Sequence, residues 1–161
     1  MLQTIQSAPR NTDCRVQVKI RDPRDCWRTL AALIAKRANE IHLRRAETGE
    51  DGLDAWQLAQ LQIEKPLCCG VLRLTGGWLV SFNSGELASG NIEICAEPHR
   101  LIVIGTNPPT GGAGTKFPIV RILKLPSEID SRSVSVRCQG PIVDVEMRDC
   151  AISTNQAAAA A

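Results

Sequence analysis

The chain has 161 residues, 43% of them hydrophobic and 22% charged, with 19 basic against 17 acidic side chains. That length suits one ordinary domain, or a small domain with an appendage, holding a real core that needs no stapling. Charge is not segregated, with 11 basic and 9 acidic groups in residues 1–66 and 8 of each thereafter, so no nucleic-acid-binding tail or stripe stands out and nucleic acid is not expected as a partner.

The opening "MLQTIQSAPR" has no apolar run of the length a secretory signal needs, and no later run approaches the roughly 18 apolar residues of a membrane span. The expectation is a cytoplasmic protein with no membrane partner. Seven cysteines are an odd count, and neither C-x-x-C nor a paired histidine spacing occurs among them. Reduced, mostly buried thiols are therefore expected in place of a disulfide framework or a zinc site, with no metal and no cofactor. The vicinal pair Cys68 and Cys69 could sense oxidants; the plainer reading is two small hydrophobes opening a strand.

From residue 22 to about residue 65 the pattern is helical. Asp22-Pro23 supplies an N-cap followed by proline at the first helical position, where its missing N–H costs nothing. Trp27, Leu30, Ile34, Ala38 and Ile41 recur at three- and four-residue steps and make one apolar stripe. "ETGEDG" breaks this helix. A second helix carries Leu53, Trp56, Leu61 and Ile63, with Asp51 or Asp54 as its cap and Pro66 as its stop. So short a helical hairpin buries its tryptophans poorly alone and is expected to pack on something.

After Pro66 the period changes to two. "VLRLT", "WLVSFN", "NIEICAE", "RLIVIG", "FPIVRILKL", "SVSVRC" and "PIVDVEM" are short, β-branched and separated by turn residues. They predict an immunoglobulin-like antiparallel β-sandwich, so the whole chain is mainly β with an N-terminal helical segment. The expected division is an N-terminal segment over 1–21, a helical hairpin domain over 22–66, the sandwich over 67–150 and a disordered tail over 151–161. "NPPTGGAGT" reads as the one long flexible connection.

Chemistry is harder to find. "GGAGTK" resembles a phosphate cradle, but Thr115 separates Gly114 from Lys116 and a strand follows where a P-loop needs a helix. His42 on the first helix and His99 in the turn "EPHR" have no Cys, Ser or Asp at a nucleophile or metal spacing. No catalytic residue is assigned, and the chain is read as a non-enzyme. In "RILKLPSEID", Arg121 falls on the same strand face as Leu123 and Leu125. A permanent cation there could be catalytic, an ion pair within the sheet, a subunit contact, or a side chain whose stem snorkels to solvent. Leu101 and Val103 of "RLIVIG", with Val134 and Val136 of "SVSVRC", would line a shallow groove for extended peptide if those strands met at a sheet edge; plain core packing is the alternative.

The order "NIEICAEPHRLIVIG", a connection, then "FPIVRILKLPSEIDSRSVSVRCQGPIVDVEM" resembles the α-crystallin domain of the small heat-shock proteins over about residues 78–147. Leu125-Pro126 stands for that family's Leu-Pro, Ile129-Asp130 for its Val-Asp step, and Gly140-Pro141-Ile142 for its Gly-Val-Leu. Residues 30–64 are similar to a small bacterial helical domain of unknown function, matched by Ile34, Arg37, Ala38, Glu40, Ile41, Gly52, Asp54 and Trp56. The first resemblance implies a bacterial stress-response chaperone, an ATP-independent holdase that binds unfolding client proteins through apolar groove and edge surface. It also aligns Arg121 with the family's basic residue at the sheet and dimer contact. No Ile-x-Ile/Val anchor follows Met147, where Ile152 stands alone, which implies a homodimer, a small oligomer or a monomer in place of a large assembly. The rival expectation is a non-chaperone interaction module with one dedicated protein partner, its helical hairpin covering the groove or adding a second contact.

Overall fold

The structure, a computed structural model, describes residues 16–49, 52–87, 91–106 and 118–150. The loop "NPPTGGAGT", the sequence "GGAGTK", Cys14 and the tail 151–161 lie outside them. No helix among the described residues is long and apolar enough to cross a membrane.

The first helix begins where its capping chemistry places it. The Asp22 carboxylate accepts from the Arg24 amide at 2.8 Å, satisfying one of the orphan donors of a helix start. Helix α1 then runs Pro23–Thr48 and closes at Gly49, whose φ of 70° lets its N–H reach the Arg45 carbonyl. Helix α2, Ala55–Ile63, follows Asp54, which makes no side-chain capping bond. Pro66 does not end α2. The helix closes at Ile63 with Glu64 as its C-cap, and Lys65–Pro66 is a two-residue strand, a place open to proline because the strand sits at a sheet edge.

Among the described residues nine strands form two sheets: β1 (Gln17–Ile20), β2 (Lys65–Pro66), β3 (Gly70–Leu74), β4 (Gly77–Asn83), β5 (Asn91–Glu97), β6 (Arg100–Thr106), β7 (Ile119–Lys124), β8 (Ser135–Gln139) and β9 (Ile142–Arg148). One sheet has the order β1-β5-β6-β7-β2, the other β3-β4-β9-β8. The chain is thus mainly β, a two-sheet sandwich with an N-terminal helical region, and all seven segments read as strands are strands. The sandwich is not wholly antiparallel, however: β1 runs parallel to β5 and β2 parallel to β7. These strands are two and four residues long, too short to carry a periodicity, and backbone pairing places them.

Two buried layers result. Between the sheets lie Val80, Phe82, Ile92, Ile94, Leu101, Val103, Val143, Val145 and Met147. Between the five-stranded sheet and the helices lie Leu30, Ile34, Ile41 and Ala59 against Cys95, Ile102, Ile104 and Val120. Strands β5 and β6 are covered on both faces, which is why "LIVI" at 101–104 is apolar without alternation. Arg21 ties the layers at one corner, donating to Glu93 of β5 at 2.8 Å and to Thr29 of α1 at 3.3 Å. At the β3–β4 turn, Gly77 is obligatory: a Cβ there would stand 2.2 Å from the Met147 carbonyl oxygen.

Candidate functional site at the open edges

The predicted helical stripe divides. Leu30, Ile34 and Ile41 are buried against the sheet, whereas Trp27 is 49% and Trp56 41% exposed. The tryptophans are not core anchors: the helical turn aims Leu30 and Ile34 at the sheet, and Trp27 lies beside that contact with Arg100 over its ring at 5.6 Å. Cys26, one position earlier, takes the buried place.

The proposed peptide groove is not formed. Leu101 and Val103 are fully buried between the sheets, and β6 is an interior strand of the five-stranded sheet while β8 is an edge of the other. Val134 and Val136 are half-buried and pack on the same inter-sheet core. These four residues serve the sandwich interior, because helices cover the second face of β6 and leave it no solvent side.

Arg121 does face the inter-sheet side, paired in register with Val103. It is half-buried, and its guanidinium donates to the carbonyl of Val120 at 3.0 Å. No carboxylate pairs with it among the described residues, because it lies at the outer margin of the layer, where the stem reaches the surface.

The thiols are not mostly buried. Of the six described, Cys26 and Cys95 are buried, Cys69 and Cys150 intermediate, and Cys68 and Cys138 exposed. Cys95 is pushed well above the ordinary thiol range, first by its hydrogen bond with Cys26 and then by burial. Cys69 is also raised, by burial and then by its neighbour Cys68. Thiols held protonated are poor nucleophiles. His42 and His99 are both exposed.

Exposed large hydrophobic side chains lie in the helical region, at Trp27, Leu43, Leu53, Trp56 and Leu61, and on strands, at Ile20, Val71, Leu72 and Ile142. Among the described residues the four-stranded sheet ends in β3, whose five residues pair with β4 and have no strand on the other side of their backbone. Val71 is 46% and Leu72 57% exposed. Side chains alternate, so the edge is aliphatic on both faces: Val71 stands opposite Val80 on the core side, and Leu72 opposite Leu79 on the outer side. One end is pinned by polar contacts. Arg73 donates to both carboxylate oxygens of Asp149, at 3.0 and 2.6 Å, and lies 4.5 Å over the Trp78 ring. Trp78 in turn donates to Ser127, and Ser127 to Asp149, each at 2.8 Å. Arg73 first, then Ser127, holds the Asp149 carboxyl below the usual carboxylate range. At the other end, Cys68, Gly70, Phe82 and Ile142 border a shallow depression of about 300 Å³. Among the described residues the edge therefore combines exposed aliphatic side chains with a free backbone side, which suits main-chain addition of an extended segment. "VLRLT" is legible as a strand; that it lies at an edge is not, because strand order is a tertiary property.

No protein-family model matches the chain, and no curated protein matches it. Among solved structures the chain is similar to HSP18.5 from E. histolytica, at 17% identity over 56% of this chain and 92% of that one, with a TM-score of 0.40. It is also similar to heat shock protein 16.0 from Schizosaccharomyces pombe, at 13% identity over 54% and 75% of the two chains with a TM-score of 0.41. A mutant of hsp14.1 from Sulfolobus solfatataricus P2 aligns at 13% identity over 71% and 97%, with a TM-score of 0.43.

Proposed function

We propose that this chain is an ATP-independent, non-catalytic holdase of the small heat-shock type, acting in the cytoplasm and holding non-native proteins along the edge strand β3. One observation supports this above the rest: β3 presents Val71 and Leu72 to solvent beside a backbone edge that no described strand pairs. Main-chain hydrogen bonds to such an edge accept any extended sequence, and apolar burial at about 25 cal/mol per Å² adds affinity with little specificity. A homodimer or small oligomer would multiply the edges available to one client.

The helical hairpin favours a second reading. It buries Cys95, Ile102, Ile104 and Val120 of the five-stranded sheet, and a scaffold so covered suits one dedicated protein partner docking on β3.

The test is light scattering from a heat-labile client warmed with and without the protein, in the absence of nucleotide, with Val71→Lys and Leu72→Lys as variants. The holdase reading expects suppression near stoichiometric ratios, lost in the variants although their own melting is unchanged. Scattering unaffected by the folded parent rejects the holdase in favour of the dedicated module. Suppression that both variants retain removes β3 as the holding surface. The size distribution separates the readings further, a polydisperse assembly favouring the holdase and a sharp monomer or dimer the module.

A further inference from the structure

On the five-stranded sheet, which does not contain β3, Lys65 of β2 stands directly beside Arg121 of β7 in the parallel register. Like charges paired across two strands are destabilising, and neither cation has a carboxylate partner among the described residues. A third cation, Arg37 of α1, is held at the same place by the Gln62 side chain and by Glu40, each at 2.8 Å. The three surround a cleft of about 470 Å³ whose walls include Leu33, Ile63 and Ile119. That is the size and mixed lining of a ligand site, and no acidic side chain lines it. Strand β2 covers only Arg121 and Ile122, so among the described residues Ile119 and Val120 have no strand on that side of β7.

We propose that this cleft binds an extended acidic peptide segment of another protein. The segment would continue the line of β2 along the uncovered part of β7, with a carboxylate set between Lys65 and Arg121 and its aliphatic residues on Leu33, Ile63 and Ile119. The carboxylate removes the repulsion between the two cations, and main-chain hydrogen bonds complete the edge. A nucleic acid has no main chain to pair with β7 and would find no aromatic ring in this cleft on which to stack. The site lies on the other sheet from β3, and its variants, at Lys65 and Arg121, leave Val71 and Leu72 unchanged, so its fate and that of the holding surface are read by separate substitutions.

The probe is a fluorescein-labelled, amidated peptide alternating valine with glutamate, followed by anisotropy with the full chain. The same peptide with glutamine replacing glutamate and a short oligothymidine serve as comparisons. Binding of the glutamate peptide is expected to be at least about tenfold tighter than that of the glutamine peptide, as one charge-assisted contact implies. Lys65→Gln and Arg121→Gln are each expected to weaken it about tenfold, while Arg132→Gln, exposed and distant in sequence, leaves it unchanged. Because Lys65 is exposed and Arg121 half-buried, melting curves confirm that each variant folds. Equal affinity for the two peptides overturns the proposal, as does binding indifferent to both cleft variants. Oligothymidine that binds more tightly and is lost in the same variants gives the cleft to nucleic acid. A dimer that Lys65→Gln dissociates gives it to a second copy of this chain.

Discussion

Leu30→Ala tests whether the helices and the sandwich fold as one unit. Leu30 is 0% exposed and sits in a buried cluster with Ile102, Ile104 and Val120 of the sheet. Truncation removes contacts to helix and sheet alike, and full burial places the cost in the range of about 2–5 kcal/mol. Against a typical domain stability of about 5–15 kcal/mol that is a large fraction, and at about 2 kcal/mol per molar it lowers the urea midpoint by roughly 1–2.5 M. The assay needs one probe on each side of the interface. In a Trp27→Phe, Trp56→Phe background, Trp78 remains as reporter of the sandwich, where its indole donates to Ser127, while the 222 nm ellipticity reports α1 and α2. Both exchanged tryptophans are more than 40% exposed, so the background costs little. The expected result is that both probes shift together by the same amount. If ellipticity is lost at lower urea while the Trp78 transition stays at the parent's midpoint, the hairpin is an appended domain and the argument from the shared buried layer fails.

Gly77→Ala must displace the Met147 carbonyl and should cost about 1–3 kcal/mol or more. Gly76→Ala meets open space but keeps a φ of 76°, costing about 1 kcal/mol; differential scanning calorimetry of the two ranks them. Val136→Asp places a charge against the inter-sheet core and should lower stability by at least about 1–3 kcal/mol, a loss seen in melting before any change in client binding. Asp149 has its folded pKa depressed by Arg73 and Ser127, so its contribution is present above its unfolded value of about 3.9 and is lost as pH falls through the folded one. Asp149→Asn should therefore melt lower than the parent at neutral pH and lose less on acidification from pH 5 to 2; parallel melting profiles for the two would refute the coupling.

Local chemistry made most of the elements legible. The Asp22-Pro23 cap, the closing glycine at 49 and the seven alternating segments are encoded within a few residues, because caps, turns and period-two burial are short-range effects. Edge position is different in kind. The apolar runs of β3 and β6 read alike, yet one is the solvent-facing margin of a sheet and the other is covered on both faces. Only the arrangement of the chain in space decides between them, which is why the expected groove fell on Leu101 and Val103, both buried between the sheets.

By itself, then, the sequence determined the two helices and seven of the strands, that the protein is mainly β with a helical region before the sandwich, and that Arg121 shares a strand face with Leu123. Tertiary structure alone decided the two parallel edge strands, the burial of Cys26 in place of Trp27, the pairing of Lys65 with Arg121, and which strand remains open. The physical reason is range. Hydrogen bonds of turns and caps close over three to five residues and leave a local pattern. A sheet edge or a cleft is made by residues dozens of positions apart, whose meeting depends on the packing of the whole chain.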